Sequence, residues 1–93
     1  FTIDVSDEAA VKFAVDAFAG RTGGLDLALN SAGVAAAGSI AATPPADWRW
    51  ILDINVLGVV HACRAEASHM AKAGRGLIVN VASAAAFMSA ADM

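Results

Sequence analysis

Ser83 closes a short run rich in β-branched residues, Leu77-Ile78-Val79-Asn80-Val81, and is separated from it only by Ala82. In an open α/β sheet, ligands bind outside the carboxyl ends of the strands, so a hydroxyl delivered there meets a ligand. A serine after a strand also serves as a turn or cap residue, and both readings stand at this point. Asn55 lies on the apolar side of a helical pattern, between Leu52 and Val56 and in step with Trp48 and Val59. A buried amide is costly unless it is bonded. Asn55 is therefore either a structural residue bonding neighbouring backbone or an amide that orders a water or side chain beside a site. Asn30 ends a second strand just before Ala32 and Gly33. It either holds a tight turn through its own backbone bonds or opens a turn of small residues against which a nucleotide lies. Asp4, at the end of a third strand-like stretch, is either a turn acid or an acceptor for a ligand's amine or hydroxyl. His61 and His69 have no cluster of carboxylates or thiols around them in the sequence, so no metal site is expected. Cys63 belongs to the apolar helical face and reads as inert. No P-loop, H-E-x-x-H or G-x-S-x-G pattern is present.

The elements that must position these groups are legible from periodicity. Residues 1–5 alternate apolar and polar, which predicts a strand. Ser6 is the expected N-cap of the following helix, with Asp7 and Glu8 in its first turn. Val11, Ala14, Val15 and Phe18 form its apolar face, and Gly20, Gly23 and Gly24 end it. Residues 25–29 predict the next strand. The alanine-rich loop 34–42 is built of residues small enough to let backbone approach a ligand. Thr43-Pro44-Pro45 is a helix start, a capping hydroxyl followed by proline. Residues 46–73 then carry apolar side chains at 3- and 4-residue steps from Trp48 to Met70, predicting one long helix. Gly58 marks a bend or a close contact within it. Trp50, Leu57 and His61 widen its apolar surface, which suits coverage by another subunit. Lys72, Gly74 and Gly76 end the helix. The strand 77–81 follows, with a composition that suits burial on both faces, and small residues 84–86 come after Ser83. This order predicts an α/β fold, a doubly wound parallel sheet with helices on both faces.

Bulk properties exclude several classes. The 93 residues are 58% hydrophobic, with a formal charge of -3. There is no basic stripe, so a nucleic-acid surface is not expected. The longest apolar stretch, 27–46, is broken by Asn30, Gly33, Gly38 and two prolines, so no membrane span is expected. With one cysteine, an intramolecular disulfide framework is excluded and a reducing compartment is compatible; a cytoplasmic location is the expectation. The sequence opens at Phe1 inside a strand-like run and stops at Met93 inside a loop, as an excerpt of a longer chain would.

Together these stretches resemble the middle of a short-chain dehydrogenase/reductase. Asp4-Val5 is similar to the Asp-Val that follows the family's third strand and contacts adenine. Asn30-Ser31-Ala32-Gly33 is similar to the Asn-Asn-Ala-Gly after the fourth strand. Asn55-Val56-Leu57-Gly58 is similar to the Asn-x-x-Gly of the long helix, whose asparagine belongs to the catalytic tetrad. Ile78-Val79-Asn80-Val81-Ala82-Ser83 is similar to the fifth strand and its catalytic serine. The resemblance implies part of a single NAD(P)-binding Rossmann-like domain, truncated at both ends, covering the third to fifth strands. It implies hydride transfer between NAD or NADP and a small alcohol or carbonyl substrate. Ser83 would bond the substrate oxygen, and Asn55 would hold a water for proton relay. Asp4, Val5, Asn30, Ala32, Gly33 and Val81 would line the cofactor. The family's glycine-rich loop would precede Phe1, and its acid/base tyrosine and lysine would follow Met93. The resemblance also implies a homodimer or homotetramer through the long helix 46–73. Two other readings share the fold: a non-catalytic dinucleotide-binding or scaffold protein, and a fragment that assembles and binds nothing.

Overall fold

A computed structural model describes residues 1–83; the small residues 84–86 and the loop expected around Met93 lie outside the described residues. Its order is helix α1 (Glu8–Thr22), strand β1 (Leu27–Asn30), a long helical segment, and strand β2 (Leu77–Asn80). The long segment is three pieces in series: α2 (Pro45–Leu52), a π-helical turn (Asp53–Leu57) and α3 (Gly58–Ala73). The strands pair in parallel, from Leu27 opposite Leu77 to Asn30 opposite Asn80.

Helix α1 is capped by Asp7, one residue later than expected, because its side chain accepts from the Ala10 N–H at 3.1 Å. Ser6 serves the preceding turn instead, its N–H and hydroxyl both donating to the Asp4 carboxylate. Gly20 lies inside the helix, and Gly23 ends it with φ +82, a left-handed conformation that glycine adopts without a Cβ penalty. The start of α2 also differs in detail. Pro45 opens it, while the Thr43 hydroxyl donates to the Ser39 carbonyl rather than capping the helix. Gly74, with φ +73, stops α3 as expected.

The core lies on one face of the sheet. Ala19 from α1, Met70 from α3, Leu25 and Ala28 form its buried cluster, with Val15 and Ile78 packed against it. The opposite face is uncovered among the described residues: Leu27, Leu29 and Leu77 are 61%, 63% and 59% exposed. These residues thus form part of the expected α/β parallel sheet, with the helices they contribute on one of its faces, so that strand 77–80 is not buried on both. The reason is topological. A single crossover covers only the face it returns over, and α1 joins the same layer through Ala19.

The N-terminal stretch is also not a strand. The described sheet has two strands, and residues 1–5 pair with neither. Extended backbone becomes a strand only when a neighbour supplies the ladder bonds. Residues 1–5 are held by side contacts instead. Val5 packs on Gly58, and the Val5 carbonyl meets His61 Nδ1 at 2.9 Å. The close contact expected at Gly58 is present, since a Cβ there would stand 2.7 Å from Val5 Cγ2 and 3.2 Å from Val5 Cβ.

Ion pairs tie α1 to α3. Arg64 meets Glu8 at 3.0 Å and His69 Nε2 meets Asp16 at 2.7 Å. The Asp16 carboxyl is held below its ordinary range, first by the bond from Lys12 and then by that from His69.

Two outcomes follow. Gly58→Ala should lower stability by about 1–3 kcal/mol, read by urea unfolding, because rotating the Val5 side chain does not move Val5 Cβ out of the way. Asp16→Asn should lower the thermal midpoint at neutral pH and have a fading effect in acid. A carboxyl with a depressed folded-state pKa stabilises above its unfolded pKa of about 3.9, and that contribution is lost as pH falls through the folded value. An Asp16→Asn deficit that stayed constant down to about pH 2 would count against this assignment.

Candidate functional site

The two strands end at the same level, and the loops leaving them face each other. Between them is a cleft of ≈ 520 Å³ lined by Ala32, Gly33, Asn55, Val59, Val81 and Ser83, among others. A second cleft of ≈ 210 Å³ beside it is lined by Val5, Asn30, Ser31, Ala32 and Gly58. Ser31, Ala32 and Val59 belong to both. The structure thus brings together Ser83, Asn55, Ala32, Gly33 and Val81, with Asn30 and Val5 adjoining them. Asp4 lines neither cleft. Its carboxylate accepts from the Ser6 N–H at 2.9 Å and the Ser6 hydroxyl at 2.7 Å. These bonds, the hydroxyl's first, hold its pKa below the ordinary aspartate value.

Asn55 is exposed at the cleft rather than buried on an apolar face. It lies inside the π-helical turn, where the Gly58 N–H reaches back five residues to the Asp53 carbonyl. Helical insertions of this kind occur often at functional sites. The Asn55 amide is engaged on both sides with one residue: Val34 N–H donates to Oδ1 at 2.8 Å, and Nδ2 donates to the Val34 carbonyl at 2.8 Å. This pair clamps the loop after β1 to the long helix. Gly33 lies beside this clamp, where a Cβ would stand 3.4 Å from Asn55 Oδ1, in ordinary contact.

Asn30 faces the other way, into the layer between sheet and helix. Its Nδ2 donates to Glu66 Oε1 at 2.8 Å and to Asn80 Oδ1 at 2.9 Å, with Cys63 Sγ at 3.7 Å. Sequence reasoning missed Glu66 and Asn80. The signal for Glu66 was its place on the apolar stripe, three residues after Cys63 and four before Met70. The signal for Asn80 was an amide interrupting a β-branched run. Cys63, expected to be inert apolar filling, instead contacts both asparagines. His61 and His69 are packing and ion-pair residues, and no metal cluster occurs among the described residues. No helix among them is long and apolar enough to cross a membrane.

The dinucleotide that the sequence resemblance implies fits this arrangement. The cleft is within the usual size of small-molecule sites, about 300–1,000 Å³, and its wall at Ala32 and Gly33 is nearly bare backbone.

Comparison with known proteins bears directly on this geometry. Residues 1–93 match the family model described as short chain dehydrogenase. D-threitol dehydrogenase of Mycolicibacterium smegmatis is 43% identical over 86 residues, covering 92% of this chain and 33% of that protein. An NAD+-bound xylitol dehydrogenase superposes with a TM-score of 0.94 at 33% identity, covering 100% of this chain and 36% of that one. A gluconate 5-dehydrogenase from Burkholderia cenocepacia, in complex with NADP and tartrate, superposes with a TM-score of 0.91 at 32% identity, covering 98% and 36%. The chain therefore spans about a third of the length of the relatives it matches. These structures share a partial Rossmann-like parallel sheet with the chain.

The clamp gives a direct expectation. Asn55→Ala should release the loop after β1, so that the Val34 amide exchanges with solvent at least about tenfold faster by NMR. Unchanged protection at Val34 would mean that the loop is held by something else.

Proposed function

Because this chain belongs to the short-chain dehydrogenase family, we propose that the whole protein is an NAD(P)-dependent oxidoreductase. It transfers hydride between NAD or NADP and the carbon of a small alcohol or carbonyl substrate. The carrying observation is the cleft at the carboxyl ends of β1 and β2, where Ala32, Gly33, Asn55, Val81 and Ser83 meet. The alcohols in the names of matched proteins support an alcohol or carbonyl carbon as the reacting centre.

In this reading Ala32, Gly33 and Val81 flank the cofactor, with Asn30 and Val5 adjoining. Asp4 Oδ1 takes both Ser6 bonds and holds the turn that carries Val5, and its Oδ2 is the acceptor this reading gives to the cofactor. The bound nicotinamide supplies or accepts the hydride. Ser83 bonds the substrate oxygen and orients the reacting carbon, a positional and electrostatic contribution. Asn55 commits its oxygen and one amide hydrogen to Val34, which leaves one hydrogen to hold a relay water. The 93 residues contain no tyrosine, so the acid/base group of this reading comes from the rest of the protein, as does the phosphate-binding loop. Residues 1–93 are part of a single Rossmann-like domain in this reading. Large apolar side chains exposed along the helical segment, Trp48, Trp50, Leu52 and Leu57 among them, support a homodimer or homotetramer built on it. A cytoplasmic location completes the proposal.

The intact protein should bind NADH or NADPH in a fluorescence titration; binding of neither would overturn the reading. Ser83→Ala should lower kcat by about 10²-fold or more, while the cofactor Kd stays within about threefold of wild type. Equal losses in turnover and cofactor affinity would remove Ser83 from its role.

A further inference from the structure

Glu66 is the buried charged residue of the described chain, 7% exposed. Its place on α3 faces the end of the sheet, where an apolar side chain would pack without a desolvation cost. What it meets there is the Asn30 amide. Asn30 Nδ2 donates to Glu66 Oε1 at 2.8 Å and to Asn80 Oδ1 at 2.9 Å, so both amide hydrogens are used. Asn80 Nδ2 in turn lies 3.6 Å from Cys63 Sγ. Asn30 and Asn80 are the last register pair of the two strands, and the Val81 N–H bonds the Asn30 carbonyl at 2.9 Å just past it. Directly beyond lie Ala32 and Gly33 on one side of the cleft and Ser83 on the other.

We propose that Glu66 is a positioning residue for this site. Its buried carboxylate orients the Asn30 amide, and Asn30 together with Asn80 sets where the two strand ends, and hence the two walls of the cleft, stand relative to each other. Glu66 touches neither cofactor nor substrate. The proposal rests on reading the cleft as the dinucleotide site. Its chemistry is that of an acceptor, not of a charge: a carbonyl oxygen in the same place does the same work.

The test uses the intact protein, with Glu66→Leu removing the acceptor and Glu66→Gln retaining one. Measured well below each unfolding midpoint, Glu66→Leu should weaken NADH or NADPH binding about tenfold and speed exchange of the Val81 amide about tenfold. Glu66→Gln should stay within about threefold of wild type in both. Asn80→Ser, at an exposed position, removes the other partner of the same amide. It should reproduce part of both effects, whether or not the leucine variant folds. A leucine variant with a lowered thermal midpoint but wild-type affinity would make Glu66 structural only, and equal impairment by leucine and glutamine would overturn the acceptor role. If the wild-type protein binds no dinucleotide, the functional reading fails by itself. Val81 exchange then decides alone: faster in Leu but not in Gln upholds the coupling of Glu66 to the strand ends, and no change overturns it.

Discussion

Two strands that run in the same direction cannot be joined by a tight turn. Chain leaving Asn30 at one end of the sheet has to return to Leu77 at the other, and residues 45–73 carry it back as helix. Nearly everything else follows from that return path. It lays Met70 and Glu66 over the strands, with Ala28 and Ile78 beneath. It makes both strands end at the same edge, so their loops confront each other across one cleft. It also brings the middle of the helix alongside the loop after β1, where Asn55 and Val34 exchange bonds.

The polar interactions divide into two groups of unequal weight. The Arg64–Glu8 pair between α1 and α3 stands in solvent, its side chains 70% and 51% exposed, while His69 of the second pair is 27% exposed. Pairs of that kind are worth about 0–1 kcal/mol each and weaken in salt. They select how α1 lies on α3 more than they hold it there. Beneath the strand ends Glu66 is buried and Asn30 half-buried, so losing a partner there leaves a desolvated group unpaired, while Asn80 stands at the exposed edge. Order at the carboxyl edge of the sheet therefore depends on a few short bonds among Asn30, Asn80 and Glu66 rather than on the surface charges.

Much of this was legible from the residues. The capping acids, the glycines at 23 and 74 and the β-branched run at 77–80 located the described helices and strands to within a few residues. Asn30, Asn55 and Ser83 were legible because a polar residue at a strand end or on an apolar stripe is conspicuous. Three features were not. Residues 1–5 have strand alternation, but a strand is a relation between segments, and alternation does not supply the neighbour. The π-helical turn has no periodic signature, since one extra residue in a turn leaves the apolar spacing on either side intact. Glu66 was hidden by its own stripe, where a charge reads as an exposed neighbour until its partner across the layer is known.

The π-helical turn separates the long helix into two halves with different duties. An extra residue in one turn displaces everything after it by about 100° around the axis relative to an uninterrupted α-helix. The half before Asp53 presents Trp48 and Trp50 outward, while the half after Leu57 turns Glu66 and Met70 onto the sheet. The insertion thus works as an indexing device. With the second half seated on the strands by Met70 and Glu66, the angular offset at 53–57 sets which side chains of the first half face outward.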